Sequence, residues 1–197
     1  MRWREAASSC KAQAAMTAEP PLRRKTIALI GLMGVGKSSI GRRLATALAL
    51  PFRDADAEVE TAAGRSIAEI FAQFGEPAFR DGERKVIARL LDEGPHVLAT
   101  GGGAFMNEQT RALIKERAVS VWLKADLEVL AKRVSRKGNR PLVVDKDPLE
   151  VLREQAKVRY PFYEQADVVV ETGDTPHQVA VDAIVTALRQ HLSTVSA

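Results

Sequence analysis

The chain has 197 residues, 46% of them hydrophobic, and no apolar run approaches the ~20 residues that would cross a membrane, so its composition describes one soluble domain with no membrane partner. Its only cysteine, Cys10, leaves no intramolecular disulfide and fits a reducing, cytoplasmic setting. A net charge of +4, spread along a chain with 5% aromatic residues, argues against a nucleic-acid partner and for the handling of small anions.

Residues 1–24 are rich in Ala, Ser, Arg and Glu, lack hydrophobic periodicity and contain Pro20 and Pro21, which predicts a disordered N-terminal extension. Glu5 and Glu19 argue against an organelle transit peptide, and no continuous apolar core marks a secretory signal. From Lys25 onward short apolar runs alternate with longer helical patterns, the signature of a parallel sheet with helices on both faces. Five strands are expected, over Thr26–Ile30, Phe52–Asp54, His96–Thr100, Val119–Lys124 and Asp167–Glu171. The intervening helices are expected over Lys37–Ala49, Ala57–Ala63, Ile67–Phe74, Ala78–Leu91, Glu108–Glu116, Asp126–Val134 and Leu149–Val158, with Pro176–His191 closing a domain of residues 25–192 before a short tail at 193–197. Right-handed crossovers place the loops that follow the strands along one edge of the sheet, where open α/β folds bind ligands.

The first of those loops carries the most specific signal. Gly31–Ser38 reads GLMGVGKS, a G-x-x-x-x-G-K-[ST] spacing between a strand and a helix start. Gly34, Val35, Gly36, Lys37, Ser38 and Ser39 then present backbone N–H groups, an ammonium and hydroxyls to a polyphosphate, at the positive end of the helix. Lys37 is expected to reach the β- and γ-phosphates and Ser38 to bind the Mg²⁺ that bridges them. A glycine turn that binds nothing would not need strand, glycines, lysine, hydroxyl and helix in this order.

Four further stretches fall at the same edge. Strand alternation puts Asp54 and Asp56 on one side of an extended chain, suited to the magnesium shell and to an acceptor hydroxyl; capping of the next helix by Asp56 would explain one aspartate but not two. Arg80 and Glu83 share a helix face, as a surface ion pair or as part of a site. Gly101, Gly102 and Gly103 form a second glycine turn that allows close approach of backbone. Arg159, near a helix end, could complement the helix dipole, or with Arg80 clamp a planar carboxylate. Residues 135–148, polar and basic and broken by Gly and Pro, read as a mobile lid over the phosphates.

Taken together, Gly31–Ala45, Asp54 with Asp56, Gly64–Phe71, Gly75–Glu83, Gly101–Gly103, Arg140–Leu142 and Arg159 with Tyr163 resemble the shikimate kinase family over about residues 25–192. The resemblance implies a P-loop NTPase-type three-layer sandwich that uses ATP and Mg²⁺ to phosphorylate the 3-hydroxyl of shikimate; a monomer is the expected state, although nothing in the sequence itself speaks to it. It implies Asp54 in the magnesium shell, Asp56 on the acceptor hydroxyls and serving as base, Arg80 and Arg159 on the shikimate carboxylate, and Gly102 and Gly103 lining that pocket. Glu83 would steady Arg80, Arg140 would meet the transferring phosphoryl group from the lid, and Arg133 and Pro176 would flank the adenine. Ser38 stands where Thr is common in the family, which keeps the hydroxyl.

Overall fold

The computed structural model describes residue 22 and residues 24–136 and 147–195. Nearly all of the expected extension, most of the expected lid including Arg140, and residues 196–197 lie outside the described residues. Leu22 is nevertheless buried in the core, so packing begins slightly before Lys25.

A five-stranded sheet of β1 (Thr26–Ile30), β2 (Phe52–Asp54), β3 (Val97–Ala99), β4 (Ala118–Lys124) and β5 (Val168–Glu171) runs in the order β2-β3-β1-β4-β5. Every pairing is parallel, with Ile27 opposite both Val97 and Val119 and Val121 opposite Val168. Parallel strands covered on both faces need continuous apolar sequence. Accordingly β1 and β3 are buried throughout, while the edge strands β2 and β5 are only partly covered.

The helices are α1 (Lys37–Leu48), α2 (Ala55–Ala63), α3 (Ile67–Asp92), α4 (Glu108–Arg117), α5 (Leu127–Arg136), α6 (Pro148–Tyr163) and α7 (His177–Val195), with a 3₁₀ turn at Ala104–Met106. Helix α1 buries Ile40, Leu44 and Leu48, spaced by whole turns. Its Gly41 admits the Phe52 ring, which would lie 2.6 Å from a methyl group there. Helix α3 is two helical pieces joined at Gly75, whose φ of 77° and ψ of 173° break the spiral as the sequence predicts. It starts in a reciprocal cap between Ser66 and Glu69.

One expectation needs correcting. Strand β2 ends at Asp54 and α2 begins at Ala55, so Asp56 lies in the first helical turn rather than on an extended chain. Asp54, not Asp56, is the cap: its Oδ1 accepts from the Asp56 amide at 3.2 Å. Helix α6 also runs past Val158 to Tyr163, which places Arg159 inside it.

Candidate active site

Strand β1 connects to one side of the sheet and β3, through α4, to the other, so their carboxyl ends open a crevice at the point where the strand order reverses. A cleft of about 400 Å³ occupies it, lined among others by Gly34, Gly36, Lys37, Ser38, Asp54 and Asp56.

The phosphate loop forms its floor. Gly34 and Gly36 have φ of 81° and 97°, a region that side chains disfavour, so the chain can curl here only with glycine. Lys37 lies across the loop, donating from Nζ to the carbonyls of Gly31 at 2.8 Å and Leu32 at 3.1 Å. Ser38 Oγ donates to Asp54 Oδ2 at 2.7 Å, so a hydroxyl and a carboxylate from different elements face one point. Ser39 and Arg133 also line the cleft, and Arg133 is held there by donating to the Gly173 carbonyl at 2.6 Å. The Val35 side chain is buried beneath the loop. Pro176 is exposed and off the cleft, whereas its neighbour His177 lines it.

The opposite wall is ionic and stands on the second glycine turn. A methyl group at Gly101 would lie 2.3 Å from Glu83 Oε1 and 2.8 Å from Asp56 Oδ1. One at Gly102 would lie 2.9 Å from Arg159 Nη1, and one at Gly103 would lie 2.6 Å from both Nη1 and Nη2 of Arg80. Each glycine therefore makes room for the tip of a charged side chain, and the three together draw Asp56, Arg80, Glu83 and Arg159 to one turn. Tyr163, fully buried, donates its hydroxyl to the Gly102 carbonyl. Burial pushes that hydroxyl's pKa up to about 12, which keeps it a donor.

Arg80 donates from Nη1 to Glu83 at 2.8 Å and from Nε and Nη2 to Glu76 at 3.2 and 3.1 Å. Glu83 is only 2% exposed, and burial raises its pKa against the opposing pull of Arg80. Asp56 opens onto the cleft, yet the surrounding walls strip enough water to raise its pKa, helped by the charge of Asp54 and opposed by Lys37 and Arg80.

The structure thus gathers Lys37, Ser38, Asp54, Asp56, Gly102 and Arg133 on one cleft and sets Arg80, Gly103 and Arg159 around its glycine wall. Sequence reasoning missed Thr100 and His177 in the lining and Glu76 as a partner of Arg80. The i, i+4 spacing of Glu76 and Arg80 could have found the last. His177 offered only its place beside Pro176.

Residues 33–189 match the family model described as shikimate kinase. A shikimate kinase of Caulobacter vibrioides is 77% identical over 170 residues, 86% of this chain and 85% of that one. One from Rhodopseudomonas palustris is 52% identical over 168 residues, 85% of this chain and 83% of its own. Among solved structures, the shikimate kinase from Acinetobacter baumannii in complex with shikimate superposes with a TM-score of 0.81 at 32% identity, covering 91% of this chain and 97% of that one. With the phosphate loop and the ionic glycine wall in place at one crevice, these matches mean that the chain belongs to the shikimate kinase family.

Proposed function

We propose that the chain transfers the γ-phosphoryl group of ATP to the 3-hydroxyl of shikimate, giving shikimate 3-phosphate and ADP. The observation that carries the reading is the convergence of Asp56, Arg80 and Arg159 on the Gly101–Gly103 turn, beside the phosphate loop. In this reading the loop amides and Lys37 hold the polyphosphate, exchanging the Gly31 and Leu32 carbonyls for phosphate oxygens. The hydroxyl of Ser38 and carboxylate of Asp54 are hard oxygen donors suited to Mg²⁺, an ion that takes few protein ligands and completes its shell with phosphate and water. Mg²⁺ there would neutralise charge on the β- and γ-phosphates. Asp56 accepts the hydrogen bond of the acceptor hydroxyl and receives its proton, while Arg80 and Arg159 grip the acceptor's carboxylate. Arg140, outside the described residues, is assigned to the lid at 135–148, where a second cation would counter charge on the moving phosphoryl group. Arg133 and Pro176 are assigned to the adenine.

The proposed catalytic domain spans residues 25–192, after an extension of residues 1–24 and before a tail at 193–197. A monomer is the proposed state, and the use of ATP supports a cytoplasmic setting. Purified protein assayed for ADP release should respond to shikimate and not to gluconate or nucleoside monophosphates. Arg80→Ala should raise KM for shikimate about 10- to 100-fold, as expected for loss of a charge-assisted contact. An unchanged KM would remove Arg80 from the acceptor.

A further inference from the structure

Arg80 carries two carboxylates in very different settings. The Glu83 side chain is 3% exposed and accepts from Nη1. The Glu76 side chain is 62% exposed, and its Oε1 alone accepts from both Nε and Nη2. The Nε–Nη2 edge of a guanidinium presents two parallel N–H groups and is a preferred seat for a carboxylate. A carboxylate of the chain itself holds it here.

We propose that Glu76 is a stand-in for the acceptor's carboxylate: it occupies the Nε–Nη2 edge of Arg80 until the acceptor binds and is then exchanged for the acceptor's own carboxylate, so that Glu76 sets acceptor affinity and selectivity for charge. The inference rests on the acceptor reading above. Three observations favour exchange over a permanent pair. Glu76 is solvated, so releasing it costs little, whereas Glu83 would be left as a buried charge without its cation. Glu76 directly follows the break at Gly75, so it leads the second helical piece rather than sitting inside a continuous spiral. Among the described residues no carboxylate lies within 4.0 Å of Arg159, so an incoming carboxylate can be drawn there first and then reach Arg80. Three anions on one guanidinium would repel one another, and the exposed one yields. A neutral acceptor gains nothing comparable when it displaces a carboxylate, so the stand-in also rejects uncharged analogues.

The test is calorimetric binding of shikimate and of its uncharged methyl ester to the full chain, with steady-state kinetics on the same samples. Glu76→Gln keeps the shape and removes the charge. It is expected to tighten shikimate about two- to fivefold, the range of an exposed ion pair, to move KM rather than kcat, and not to tighten the ester. Asp81→Asn, an exposed acid on the same helix paired to Arg84 and Lys85, should change neither constant. The inference is overturned if Glu76→Gln leaves shikimate affinity unchanged or weaker, if the ester tightens equally, or if Asp81→Asn has the same effect. Wild-type turnover separates the failures: with it, an unchanged affinity in Glu76→Gln sinks the exchange alone, and without it both readings fall.

Discussion

The two halves of the cleft use glycine for opposite reasons. In the phosphate loop Gly34 and Gly36 have positive φ, so glycine is needed for the backbone path itself. In the facing turn none of Gly101, Gly102 and Gly103 has a positive φ, and glycine is needed for clearance, because a methyl group at each would strike the tip of Glu83, Arg159 or Arg80. The phosphate-holding part of the nucleotide half is thus written into one local run of backbone. The acceptor half is assembled from α2, α3 and α6 over a shared floor, and exists only once the chain has folded.

The largest expected effect falls on the nucleotide half. Lys37→Ala removes the ammonium lying across the loop and should lower kcat about 10³-fold, with a far smaller change in shikimate KM, in the ADP-release assay. A loss confined to shikimate KM would break the division between halves.

The acceptor half should answer to a different perturbation. Gly103→Ala should raise shikimate KM about tenfold by pushing the Arg80 guanidinium aside, and add almost nothing once Arg80 is already Ala. In the phosphate loop, Gly36→Ala should impair activity whatever its neighbours, since the cost lies in its φ of 97°. A double-mutant cycle on Gly103 and Arg80 measures this directly. Additive effects would mean that Gly103 serves the backbone after all.

This contrast explains what could be read before folding. The sheet, its strand boundaries within a residue or two, and the whole phosphate loop follow from local pattern: continuous apolar runs for buried strands, and fixed spacing for Gly31–Ser38. Arg80, Arg159 and the triple glycine were legible as candidates because their residue types suit anions, but their meeting followed only from the family resemblance and not from local pattern. It depends on helices far apart in sequence arriving at one turn. The geometry of Asp54 and Asp56 was misread because helix α2 starts two residues early, with Asp54 taking the cap and turning Asp56 into the helix. His177 escaped because a lone histidine after a proline has no pattern; only packing of α7 against the loop gives it a place, near Gly36.

The smallest prediction concerns a buried group at the other end of the sheet. His96 directly precedes β3, is 3% exposed, and shares with Glu83 the property of one buried atom without a hydrogen-bond partner among the described residues, here Nε2. Its Nδ1 lies 2.7 Å from the Gly94 carbonyl. Burial lowers its pKa from the ordinary 6.5, so the folded state favours the neutral ring. The sign follows: stability from the neutral ring is complete above about pH 6.5 and declines as pH falls from there through the lower folded value. Denaturant unfolding of the wild type should weaken over that interval by at most about 1.4 kcal/mol per pH unit from this one site, and His96→Gln should flatten the dependence. Shikimate KM and ATP KM should be indifferent to His96→Gln, because the ring's hydrogen-bond partners, Thr26 and Gly94, lie at the opposite end of the strands from the cleft. A change in either constant would show that the two ends of the sheet are coupled, and that the local character assigned to each half of the cleft is too simple.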